Sequence, residues 1–385
     1  MKIKELNYFL ILSGRNQRAI FSFCRFCDKH RINFLIITSS AKDSIYESKY
    51  KENVVGNVDG ACSSPLKILD CLERIKSKVA VKLLYMVPTT DSLVYGYFNN
   101  RDSFLAHDVV LPVCEEDVFK MVDNKESFSN LCAKNGLLTP NVYNKVDSAT
   151  LPCVLKPRYK FCEYTGETLS PIIVTSEKEL KENSCRATIS QYFIQEYVEG
   201  ESYYLLYYVS RENKDVMFSQ KNLLQQDRGE SIIAASSSLL HHESIAEGYL
   251  NLFKSIGFSG LVMVELRERN GMYYLIEANP RLWGPSQLFV DAEVPIFTAF
   301  CHEIGMGFED FSKPEQNYKE AFYFWHGGMF QIYQNNRNFA FYSGIDESYC
   351  LDALPYWMEH DIYRRSDTYS IYINQSFLFK TYLNP

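Results

Sequence analysis

No apolar run in this chain is long enough to cross a membrane. The stretch from Tyr8 to Leu12, which follows Lys2, Lys4 and Glu5, is also too short for the core of a secretion signal. Blocks of one charge sign are missing too. The absence of a long Lys/Arg run and a net charge of −7 argue against a nucleic-acid surface as the main business, leaving room for a local basic cleft, and no membrane partner is expected. Zinc-type spacing of ligands is absent, as are internal repeats and low-complexity linkers. The 11 cysteines, an odd number scattered from Cys24 to Cys350, read as the reduced thiols of a cytoplasmic protein. Cys24 and Cys27 stand three apart, but they share a helical stretch with Phe21, Phe23 and Phe26, which favours a core role over redox chemistry. His241-His242 has no spaced partner ligand and reads as a capping or surface pair. Glycine is scarce where a dinucleotide fingerprint would need it, since only Gly14 follows the first strand.

What is present is the composition of an ordinary globular protein, 46% hydrophobic and 23% charged, in 385 residues, a length that suggests two or three units. Residues 8–14 and 33–38 read as strands, separated by an amphipathic helix reaching about Lys29. A helix from Pro65 to Lys78 and strands at Val81–Val87 and Val109–Val113 continue the alternation, which predicts a parallel, Rossmann-like α/β domain over residues 1–113. Asp123 and Glu126 have the spacing of a capping box for a helix that Gly136 ends.

The richest stretch runs from Gly260 to Gln287. Two apolar runs flank Asn270-Gly271, so a β-hairpin is predicted. Side chains alternate along a strand, so Glu277 and Asn279 share a face. Glu265 joins that face only if an extra residue enters the hairpin. A three-residue turn, Arg269-Asn270-Gly271, with a following bulge would supply it and would set Glu265 opposite Leu275. Two carboxylates and an amide oxygen gathered there suit a hard cation held partly by phosphates. A solvated hairpin edge is the plainer alternative. Beyond it, Arg281 offers a planar fork for a substrate carboxylate or for the phosphate formed on it. Upstream, Pro152 to Arg158 reads as a strand ending in Lys156, a point charge able to reach a phosphate, with Arg158 able to add a forked contact.

The run Tyr274 to Arg281 (YLIEANPR), after a Gly-x-x-x-x-Glu strand, resembles the metal-binding signature of the ATP-grasp superfamily, in its carbamoyl-phosphate-synthase-like and carboxylate-amine ligase branches. Residues 122–141 (VDNKESFSNLCAKNGLLTPN) resemble that family's entry helix, Lys156 its strand lysine, and residues 193–201 (FIQEYVEGE) its adenine hinge. The resemblance covers about residues 115–310. It implies an ATP-grasp domain over 114–310 with a lid at about 139–198, ATP as cofactor, and Mg²⁺ or Mn²⁺ on Glu265, Glu277 and Asn279. It further implies Lys125, Lys156 and Arg158 near phosphates, with Lys221 lining the triphosphate. The hinge Gln195, Glu196, Tyr197 and Val198 would take the base through the Glu196 carbonyl and Val198 amide, and Glu201, or else Glu199, the ribose. One departure stands out: the flap YKFCEYTGETLSP holds a single glycine, Gly166, and Lys160 is a candidate substitute for the missing amides.

The implied reaction joins a small-molecule or peptide carboxylate to an amine, or to a thiol, through an acyl phosphate. A catalytically weak ATP-binding regulatory or assembly module is the alternative. Residues 311–385, rich in aromatics, are expected to pack on the ATP-grasp body or to build a substrate or homodimer surface.

Overall fold

The strand Leu6–Leu12 (β1) is buried over its last four residues, Phe9 to Leu12, which face alternately into two separate cores. A strand apolar on both faces belongs in the middle of a covered parallel sheet. In the computed structural model, which describes residues 6–60, 66–77, 79–159, 169–188, 191–315 and 317–383, β1 holds that place. Phe34–Thr38 (β2), Val54–Asn57 (β3), Val81–Met86 (β4) and Val109–Val110 (β5) complete a parallel sheet of order β3-β2-β1-β4-β5. Gln17–His30 (α1) and Leu66–Lys76 (α2) connect strands as predicted. Asp91–Phe98 (α3) and Arg101–Ala106 (α4) lie between β4 and β5, where the sequence predicts no element.

Glu116–Asp123 (α5) and Lys125–Lys134 (α6) follow one another with a single extended residue between them, and this displaces the expected capping box. The cap is Asn124, whose side chain accepts from the Ser127 amide at 2.8 Å. Asp123 instead ends α5 and accepts from the Tyr95 hydroxyl at 2.8 Å.

A small antiparallel sheet comes next. Val142–Tyr143 (β6), Cys153–Pro157 (β7), Ile172–Val174 (β8) and Tyr192–Glu196 (β9) stand in the order β6-β9-β7-β8, with Glu177–Thr188 (α7) packed on them. These strands fall within the range expected for the lid. Most of the flap, including Lys160 and Gly166, lies outside the described residues.

The largest sheet is built from Glu201–Val209 (β10), Val216–Gln226 (β11), Ile232–Ser237 (β12), Gly260–Arg269 (β13) and Met272–Asn279 (β14). Phe322–Phe324 (β15) extends it beyond β12, and Phe339–Phe341 (β16) pairs with β11, so the order is β14-β13-β10-β11-β12-β15 with β16 on the side. The sheet therefore runs past residue 310. The aromatic C-terminal segment supplies two of its strands and, through Trp357 and Phe324, a small core shared with Leu224 and Ile233. It also reaches the first domain: Arg25 Nε pairs with Asp367 at 2.9 Å, and Arg25 Nη2 donates to the Ile362 carbonyl at 2.8 Å. Among the described residues no helix is long and apolar enough to cross a membrane.

Candidate functional site

The hairpin forms, but its extra residue enters elsewhere than expected. Asn270 (φ 55°) and Gly271 (φ 77°) make a two-residue turn between paired Arg269 and Met272. Two successive left-handed residues are what a primed turn needs, and Asn-Gly supplies them at low cost. With the turn satisfied by two residues, the odd one is taken up in the ladder. Glu265 pairs directly with Glu277 and Leu266 with Leu275, which leaves Ile276 as a bulge. The expected Glu265–Leu275 opposition is thus corrected: the carboxylates face one another squarely. The bulge also redirects the Ile276 carbonyl, which accepts a hydrogen bond from Lys156 Nζ.

Cations hold this acidic pair together. Lys125 Nζ lies 3.2 Å from Glu277 Oε2, and Arg267 Nη2 lies 3.2 Å from Glu265 Oε1. Burial pushes the Glu277 carboxyl up, but Lys125, Lys156 and the Asn279 amide more than reverse this and hold it far below the usual range. Burial leaves Glu265 above its ordinary value, with Arg267 opposing and Glu277 adding to the shift. Lys125 is pulled down by burial yet ends above the usual lysine value because Glu277, Asp123 and Asp91 surround it. Lys156, 6% exposed, is lowered to about 8, chiefly by burial, although Glu277 counters this.

Two cavities meet at the acidic pair. The smaller, about 160 Å³, is lined by Lys125 and Lys156, by the hinge residues Gln195, Glu196, Tyr197 and Val198, and by Arg267, Glu265 and Glu277. The Val198 amide donates to no described residue, so it is available to a ligand. The Glu196 side chain turns away, accepting from Asn141 Nδ2 and Arg269 Nη1, both at 2.8 Å. The larger cavity, about 450 Å³, lies toward the first domain and is lined by Glu265, Glu277, Asn279 and Arg281 together with residues of the β1–α1 loop. Asn279 Nδ2 donates to Glu277 Oε1 at 2.9 Å, and Arg281 bonds Asp91 and Asn279 Oδ1.

Three expected residues are not brought to either cavity. Lys221 pairs in register with Tyr203, which pairs with Leu266, so all three stand on the sheet face opposite Glu265. Its ammonium lies 3.6 Å from Glu201, which also accepts from Ser343 Oγ at 2.8 Å. Lys221 and Glu201 thus engage each other outside both cavities. Arg158 forks onto Glu126 at the start of α6, with Nη2 3.0 Å from Oε1. Arg267 joins the site without being predicted from the sequence. It lies two positions after Glu265 on one strand, and that alternation alone places it on the acidic face.

No family model matches this chain, and no curated protein matches it. Solved structures do. An N5-carboxyaminoimidazole synthetase from Staphylococcus aureus, in complex with ADP, superposes with a TM-score of 0.59 at 12% identity, covering 87% of this chain and 86% of that one. The chain has the ATP-grasp fold. An L-amino acid ligase from Bacillus licheniformis gives 0.53 at 14% identity over 76% of this chain and 71% of its own. A Rhizobium etli pyruvate carboxylase gives 0.58 at 14% identity over 79% of this chain, which spans only 29% of that longer protein. The expected α/β architecture, a parallel sheet followed by antiparallel ones, is the one found.

Proposed function

We propose that this ATP-grasp protein is a ligase that activates a carboxylate with ATP as an acyl phosphate and passes it to an amine, or to a thiol, releasing ADP and phosphate. One observation carries the reading: Glu265 and Glu277 form the common wall of two cavities, one equipped for a nucleotide and the other open for an acid. A γ-phosphate and an acceptor carboxylate placed in these cavities meet beside that pair, since Gly229, the other residue lining both, offers no side chain.

The donor set fits Mg²⁺, or Mn²⁺, shared with phosphate oxygens. Among the described residues no third Asp, Glu, His or Cys joins Glu265 and Glu277, so phosphates would complete the ligand shell, with the Asn279 amide oxygen available if the amide is turned. When bound, the metal supplies charge neutralisation at the transferring phosphoryl group. Lys125 and Lys156 add point charges on the same phosphates. The hinge backbone receives the base, and Arg281 orients the acid. No nucleophilic side chain is required, because the amine comes from solution.

Incubation with Mg-ATP, a panel of acids and hydroxylamine tests this. Hydroxamate, ADP and phosphate are expected together. Acid-dependent release of AMP and pyrophosphate would overturn the acyl-phosphate route, and tight ATP binding without turnover on any acid would favour a regulatory module.

A further inference from the structure

The walls of the larger cavity are unevenly balanced. Each of its carboxylates already has a cation: Asp91 has Arg281, Glu265 has Arg267, Glu277 has Lys125, and Glu230 has Arg337 at 2.8 Å. Two of its cations have no acid. Arg15, exposed on the β1–α1 loop, makes no hydrogen bond or ion pair with any described residue. Arg18 stacks on Trp325 with its guanidinium carbon 3.9 Å from the ring centroid. Among the described residues it donates only to neutral oxygens: the Ile232 carbonyl at 2.9 Å, the Tyr323 hydroxyl at 3.0 Å and Ser231 Oγ at 2.8 Å. Three of its five N–H groups are thereby used, leaving two. Gly284 leaves room for the guanidinium, because a Cβ there would lie 2.9 Å from Arg18 Nη2. Two lining residues, Thr89 and Trp283, each carry a buried polar atom, Oγ1 and Nε1, without a hydrogen-bond partner among the described residues. A fixed guanidinium with two N–H groups to spare, lining the same cavity as a second guanidinium with no acid among the described residues, is an arrangement that an anionic group completes.

That anion is not the reacting carboxylate. Arg18 is anchored to β12, and the strand order β13-β10-β11-β12 puts three strand spacings between it and Glu265, roughly 14 Å. We propose that the acid substrate carries a second anionic group, a carboxylate or a phosphate, which is seated by Arg15 and Arg18 while its reacting carboxylate lies at the Glu265–Glu277 edge. The inference rests on the ligase reading for the role of that edge, but the anion seat itself is a binding statement.

The test uses the full chain with α,ω-dicarboxylic acids of increasing length, their monomethyl esters, and ω-phosphono carboxylic acids. Two readouts are taken: ADP release with Mg-ATP and hydroxylamine, and thermal shift with Mg and a non-hydrolysable ATP analogue. Some diacid or phosphono acid should outperform its single-anion counterpart by about tenfold or more in kcat/KM, with a chain-length optimum. Arg15→Gln should shrink that preference by about tenfold. Arg18→Gln should do the same, but since Arg18 also ties α1 to β12, the exposed Arg15 is the decisive position. Comparison of the carboxylate and phosphono series identifies the anion. Stabilisation by diacids that Arg15→Gln abolishes, with no ADP from any acid, would keep the anion seat and overturn the ligase reading. Turnover indifferent to the second charge, or no stabilisation by any dianionic acid, would overturn the inference.

Discussion

Glu277 is the residue on which most of the local electrostatics converge, because two buried lysines and an amide all address it. Under the proposed function Glu277→Gln would remove one of two anionic metal ligands, so Mg-dependent ADP release is expected to fall on the order of 100-fold or more. Lys156 makes the opposite case. Its ammonium is held in the unliganded protein at a cost, as its lowered pKa shows, so Lys156→Met should melt no earlier than the parent while losing about tenfold or more in ATP affinity. Melting both proteins with and without Mg-ATP separates the two effects. The pH dependence follows from the same group, which faces Glu277, Glu265, Lys125 and Arg267. With its folded pKa near 8, below the unfolded value, the native state releases this proton first. The Lys156 contribution therefore favours unfolding below pH 8, and the penalty is relieved as pH rises from about 8 toward 10.5. Under the proposed function nucleotide binding runs the other way, since a phosphate contact needs the charged form. ATP affinity should fall above about pH 8 in the parent and stay flatter in Lys156→Met, as titration calorimetry across that range would show. Glu277 and Asn279 are legible as one face because they stand two apart on one strand, Glu265 joins them once parity demands an extra residue in the hairpin, and Lys156 is marked as a cation at the end of an apolar strand. Lys221 is not legible in this way, since the face it takes depends on β11 pairing with β10 in a register that no local pattern announces.

At the scale of elements, the hairpin and the first parallel sheet followed from periodicity and turn chemistry, but the position of the bulge did not. Parity required one extra residue, and whether the turn or the ladder absorbs it is settled by the primed Asn-Gly turn and by the neighbouring Lys156, which takes the displaced Ile276 carbonyl. Likewise the junction of α5 and α6, too short for a capping box, moved the cap to Asn124. A second turn carries a sharper constraint. Gly200, between hinge and β10, has φ 155°, and a Cβ there would lie 1.9 Å from the Glu268 carbonyl oxygen. Gly200→Ala should therefore cost roughly 2–4 kcal/mol and spread β10 from β13, a loss that denaturant melts would register.

At the scale of the whole molecule, the C-terminal segment is where sequence reading said least. Strands of three aromatic residues, such as Phe322–Phe324, are too short to show a period, and their burial depends on partners nearly ninety positions earlier in the chain, as Ala234 opposite Phe324 illustrates. Because β15 and β16 complete the large sheet, a chain ending at residue 310 should fail to melt cooperatively and should bind hydrophobic dyes, in contrast to the full chain.

The wall common to the two cavities has a thermodynamic consequence. A metal-nucleotide that engages Glu265 and Glu277 from one side draws compensation from Lys125 and Arg267, and so resets the potential felt by any acid on the other. The two ligands are then linked by a single coupling free energy, equal in both directions. Under the proposed function, the factor by which ATP changes the affinity for the acid equals the factor by which the acid changes the affinity for ATP, so acid titrations with and without Mg-ATP and ATP titrations with and without acid should return one number.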